Sequence, residues 1–104
     1  MEDYIIEGYL LNSVSTNSTG DALVVNQCRN FTVSFENTGV AVGSVTLQGR
    51  VTAFSNWLNI NSLTINNVAP TGILYQFNGP YQALRATLTN RTSGDCTVIC
   101  KGKS

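Results

Sequence analysis

The sequence predicts an all-β protein: a single antiparallel β-sandwich of about eight strands, jelly-roll or immunoglobulin-like. Three observations predict it. Apolar and polar residues alternate through nearly every segment, the period of a strand with one wet face. Turn-forming residues recur at short intervals between those segments. No stretch carries a convincing helical stripe.

Taken in order, the expected strands are residues 4–11, 21–28, 30–37, 43–54, 62–66, 72–77, 81–90 and 95–101. Residues 30–37 put Phe31, Val33 and Phe35 on one face and Thr32, Ser34 and Glu36 on the other. Residues 43–54 turn Val45, Leu47, Val51 and Ala53 inward, with Thr46, Gln48, Arg50 and Thr52 outward. Residues 81–90 bury Leu84, Ala86 and Leu88 and expose Arg85, Thr87 and Thr89. In 95–101, Cys96, Val98 and Cys100 share a face. The punctuation is Ser18–Thr19–Gly20, Asn37–Thr38–Gly39, Ala69–Pro70–Thr71–Gly72, Asn78–Gly79–Pro80 and Thr92–Ser93–Gly94–Asp95, with a further turn around Ser55–Asn56–Trp57–Leu58.

The 104 residues amount to one domain, 1–104, with neither linker nor internal repeat. Residues 1–12 form a candidate oligomerisation arm or strand, separable from the domain. Its apolar run, including Tyr4, Ile5 and Ile6, suits pairing with a neighbouring subunit's edge.

Charged residues make up 12% of the chain and the formal net charge is zero. Phosphate neutralisation needs clustered Lys and Arg, so nucleic acid is not an expected partner, and neither is an anionic membrane surface. No run approaches the roughly 20 apolar residues of a membrane helix. The start, "MEDYIIEGYLLNS", is acidic where a signal peptide is basic, and Glu7 and Gly8 interrupt its apolar residues. Synthesis without a cleavable leader, in a cytoplasm-like compartment, is the expectation. The sequons at Asn17, Asn30 and Asn90 then read as accidents of an Asn- and Thr-rich text.

The three cysteines, Cys28, Cys96 and Cys100, do not form a disulfide framework, and core-filling thiols are the expected role. Pairing of Cys28 with one of the other two stays open. There is no His, so nucleophilic catalysis lacks its usual base. The carboxylates are scattered, no Gly-rich phosphate loop occurs, and metal-ligand spacings are missing. A protein without enzymatic activity, cofactor or metal is expected.

Three further residues stand out. Trp57, the single Trp, has two readings: a lid on the sandwich core, or an aromatic platform for a sugar ring or partner. The core reading is preferred, because a large apolar ring in a small domain is usually buried. Tyr81 brackets the Asn78–Gly79–Pro80 turn together with Tyr75 and Phe77. Arg85 faces away from Leu84 and Ala86, either as a solvated or ion-paired residue of a corner or as part of a subunit interface.

Val45, Gln48, Gly49 and Trp57, followed by Gly79, Pro80, Tyr81, Leu84 and Arg85 and then Gly94 and Val98, form a pattern over the C-terminal 60 residues or so. It resembles a β-sandwich frequent in virion proteins of tailed bacteriophages. The Asp-Gly-Thr usual before the Trp is replaced by Phe54–Ser55–Asn56, a departure that weakens the case for a loop-borne ligand or ion function and leaves the fold implication intact. The resemblance implies a head decoration (cement) protein, or a fibre or tail component, located in the virion and made in the host cytoplasm. The expected partner is the major capsid protein or another virion protein, with a homotrimer favoured. A carbohydrate- or receptor-binding module, using Trp57 and Tyr81, is the alternative; an accessory domain of a hydrolase ranks behind both.

Overall fold

Two strands of 21 residues each organise the molecule: β4 (Asn30–Arg50) and β7 (Ala83–Lys103) run antiparallel and pair along almost their whole length. The structure, a computed structural model, describes residues 4–68 and 72–104; side chains are described outside 38–41, 65–68 and 72–73. The other strands are β1 (Ile5–Val14), β2 (Ser18–Thr19), β3 (Leu23–Val24), β5 (Leu58–Val68) and β6 (Gly72–Asn78). Together they form one seven-stranded antiparallel sheet, and no helix occurs among the described residues.

The β4–β7 ribbon has two ends, and each end recruits its own neighbours. At one end β1 pairs with β7 from Ile5↔Lys103 to Val14↔Cys96, while β6 pairs with the start of β4. At the other, β5 flanks the end of β4, and the short β2 and β3 flank the start of β7. Inward residues from both ends meet in one core. Phe31, Val33, Phe35, Val98 and Cys100 come from the first; Val45, Leu47, Leu84, Ala86 and Leu88 come from the second. The sheet therefore curls over its own apolar face.

The curl explains why two expected turns are not turns. Asn37–Thr38–Gly39 and Thr92–Ser93–Gly94–Asp95 lie within continuous strands. The ladder shifts register between Thr38 and Val42 and again before Ser44, and on the partner strand Asn90 (φ 53°) and Gly94 (φ 77°) take left-handed conformations. Such irregularities bend a strand and sharpen its twist without ending it. The turn formers thus mark the fold line of the ribbon, and four expected strands become two long ones. A smaller bulge in β1, between Tyr9 and Leu11, leaves Leu10 and Leu11 both buried. The expected turn at 69–72 falls largely outside the described residues.

Three local expectations need correction. Val51 and Ala53 are not inward; β4 stops at Arg50, and both are exposed. Hydroxyls account for the stop: the Ser55 and Thr52 side chains bond each other (2.8 Å), the Thr52 N–H donates to Ser55 Oγ, and the Phe54 N–H donates to Thr52 Oγ1. That local network competes with the ladder and turns the chain. Most of residues 21–28 is not strand, since only Leu23–Val24 pair, and Ser18–Thr19 pair where a turn was expected. Finally, residues 5–14 are not a separable arm but a strand of the chain's own sheet, contributing Leu10 and Leu11 to the core.

All three cysteines are free and buried. Burial raises the thiol pKa of each and pushes Cys100 up to about 12, with the neighbouring Cys28 adding to the effect. Thiols so held are inert packing groups at neutral pH.

Candidate interaction surface

Asn78–Gly79–Pro80 closes the end of β6, anchored by the Gly79 N–H donating to the Arg29 carbonyl at 2.9 Å. The aromatics on its shoulders turn inward. Phe77 stacks on Phe31 (centroids 5.0 Å apart) and on Tyr75 (5.5 Å), and Tyr81 meets Phe31 and Phe77 edge-on at 6.0 and 5.7 Å. Tyr81 also lies over Gly49, where a Cβ would stand 2.7 Å from its ring. The glycine on β4 is the seat of the tyrosine ring. Tyr81 is therefore a partly buried prop of the core edge, and this corner is structural.

Trp57 and Arg85 belong to the opposite, outer face, and the fold brings them together. The Arg85 guanidinium carbon lies 4.4 Å from the Trp57 ring centroid. Arg50, which the alternation had only placed as outward-facing, lies 4.5 Å from the same centroid. The register makes the cluster: Gln48 stands opposite Arg85 on β7 and opposite Asn59 on β5, while Arg50 stands opposite Ala83. Arg85 Nε donates to Gln48 Oε1 (2.8 Å), and Gln48 Nε2 donates to Asn59 Oδ1 (2.9 Å). Arg50 Nε donates to Gln82 Oε1 at 2.8 Å. Each guanidinium is thereby fixed through its Nε, with its ring-side face on Trp57.

This placement corrects the lid reading of Trp57. The ring is half-buried and stands outside the core cluster, held by cations on the sheet's wet face. Two cation–π contacts and partial burial are worth about 1–2 kcal/mol together. Trp57→Ala is thus expected to lower stability by that amount in urea melts, well short of the roughly 3–5 kcal/mol for a core aromatic. A loss in the larger range would return Trp57 to the core.

Tyr4, Ile5 and Ile6 sit far along β1, away from this cluster. Tyr4 and Ile5 are exposed, and Ile6 packs against the core. Tyr4 is tied to the other terminus: its N–H donates to Ser104 Oγ and its carbonyl accepts from the Ser104 N–H, both at 2.9 Å. Ile5 and Tyr9 face outward at alternate positions beside Lys103 and Ile99 of β7. In the described sheet β1 is an edge strand, with β7 on one side.

The fold and its surface define a class: an all-β protein whose one curled sheet carries an arginine–tryptophan cluster on its outer face. Among solved structures, the chain is similar to the SPBc2 prophage-derived protein YomS, with a TM-score of 0.76 at 15% identity over 100% of this chain and 96% of that one. It is also similar to the PBSX exported protein XepA (TM-score 0.79, 15% identity), covering 100% of this chain but only 39% of XepA. A chain of infectious bursal disease virus, Gx strain, matches more loosely: TM-score 0.53, 8% identity, 99% of this chain and 32% of that one. At these identities the likeness is one of fold. No family model matches the chain, and no curated protein matches it by sequence.

Proposed function

We propose that this chain is a non-enzymatic structural protein of a bacteriophage particle, acting as a capsid decoration protein. The observation that carries the reading is a fold shared end to end with a prophage-derived protein of nearly the same length. A looser likeness to a viral chain and a near-neutral surface rich in Asn, Ser and Thr agree with it. The curled sheet is taken as a variant of the sandwich architecture common in virion proteins. Its partner is the major capsid protein or another virion protein, and the working unit is a small homo-oligomer, a trimer by preference. The open edge of β1, with Tyr4, Ile5 and Tyr9 exposed along it, is the surface offered to a neighbour. A protein that binds only the assembled lattice stabilises that lattice by mass action.

The carbohydrate-binding alternative loses support from the position of Trp57. A sugar ring stacks on an open aromatic face, whereas two guanidiniums already lie over this one. Particles produced from the genome that encodes the chain provide the test. Purified virions are expected to contain it in stoichiometric amount, and a particle reconstruction should place it on the outside of the head. Recovery of the chain only from the particle-free fraction would refute the reading.

A further inference from the structure

The Arg50–Trp57–Arg85 cluster has a charge pattern that nothing in the fold requires. Two guanidinium carbons each lie within 4.5 Å of one ring centroid, so two like charges share a single aromatic partner. Their partners among the described residues are the Trp57 ring and the neutral amides of Gln48 and Gln82; neither meets a carboxylate. Each Nε is used, which pins the fork and leaves its terminal amino groups for an acceptor from outside. A guanidinium fork matches a planar carboxylate in bidentate fashion, and one already immobilised loses less entropy on engaging it.

The surroundings decide between kinds of anion. The turn that delivers Trp57 also exposes Val51 (55%) and Phe54 (98%). A turn that carries both an almost wholly exposed Phe and the Trp that two Arg residues contact has the composition of a protein interface. A polyphosphate or nucleic-acid site would instead draw on a field of clustered Lys and Arg, and this chain carries 6 basic and 6 acidic residues. We infer that Arg50, Trp57 and Arg85 form a docking site for a protein segment presenting a carboxylate flanked by apolar side chains. The inference stands apart from the particle reading, since it needs only the cluster.

Trp57 is the chain's single Trp, so its fluorescence reports on this site alone. The probe is the peptide acetyl-Phe-Glu-Leu-amide, titrated at constant ionic strength beside acetyl-Phe-Gln-Leu-amide and inorganic tripolyphosphate. The acidic peptide is expected to give a saturable change with a Kd of about 1 mM, as suits so small a ligand. The Gln peptide should bind at least about tenfold more weakly, the worth of one charge-assisted hydrogen bond. Arg50→Gln and Arg85→Gln should each weaken the acidic peptide by a similar factor while melting close to the parent protein. Arg85→Lys keeps the charge but loses the fork, and should recover only part of the binding. Equal binding of the Glu and Gln peptides would overturn the carboxylate assignment. Tighter binding of tripolyphosphate than of the peptide would make the site one for phosphate polyanions. No saturable change with the acidic peptide up to about 20 mM, well above that Kd, would overturn the site itself.

Discussion

Phe31→Ala is expected to cost about 3–5 kcal/mol, among the largest losses any single truncation here should give. The ring is 2% exposed and stacks on Phe77 while Tyr81 meets it edge-on. It also reaches β7 and the segment before β4. A Cβ placed on Gly102, directly opposite in the register, would stand 3.1 Å from the Phe31 ring and 3.0 Å from Cys28 Sγ. The glycine thus makes room for the ring, and truncation leaves a void bordered by rigid strands that cannot collapse into it. Domains of this size have total stabilities of about 5–15 kcal/mol, so about a fifth or more would go. The midpoint of a urea melt should fall with little change in slope. Phe31→Leu, which refills most of the space, should recover more than half. A Phe31→Ala loss under about 1.5 kcal/mol would mean that this end of the sheet is not closed as described.

Gly20→Ala is expected to cost about 3 kcal/mol, a large figure for the addition of one methyl group. Gly20 lies just past β2 and donates its N–H to the Ala86 carbonyl at 2.9 Å. A Cβ there would collide with the Leu10 carbonyl oxygen and stand 2.9 Å from its carbon and 3.1 Å from Leu11 Cδ2. The obstacle is backbone, so rotamer changes give no relief. Either β1 retreats, disturbing the bulge that buries Leu10 and Leu11, or the bond to Ala86 breaks. Asp21→Ala, at the exposed neighbouring position, should change stability by less than about 0.5 kcal/mol. Equal thermal melts for the two variants would show that β1 and the Gly20 segment are not in backbone contact.

Much of this architecture was legible in the text. Alternation at Phe31, Val33 and Phe35, at Val45 and Leu47, at Leu84, Ala86 and Leu88, and at Cys96, Val98 and Cys100 assigned the inward face of both ends of the ribbon, and every one of these residues is buried. The pattern works because a half-buried strand must repeat every two residues. It failed at Val51 and Ala53, where the next inward positions fell in a turn held by Thr52 and Ser55 hydroxyls. Periodicity continues through such a stop because it registers side-chain polarity and not backbone pairing. It also misread Asn37–Thr38–Gly39 and Thr92–Ser93–Gly94–Asp95, because the same residues that end a strand can bend one.

The interaction cluster was half legible. Trp57 and Arg85 were singled out, but separately, and Trp57 was assigned to the core. Arg50 lies seven positions before Trp57 and 35 before Arg85, and nothing in local spacing unites the three. The sequence by itself determined the strand periods, the inward face within the paired strands, the core-filling role of the cysteines and the place of the turn at Gly79. All of these follow from neighbours along the chain. The tertiary structure alone decided that two long strands fold once over a common core. It alone also set Gln48 opposite Arg85 and laid Trp57 against both guanidiniums. Cross-strand register is the physical reason. Each pairing joins residues tens of positions apart, and it is chosen by how the whole apolar face closes, which no short window of sequence contains.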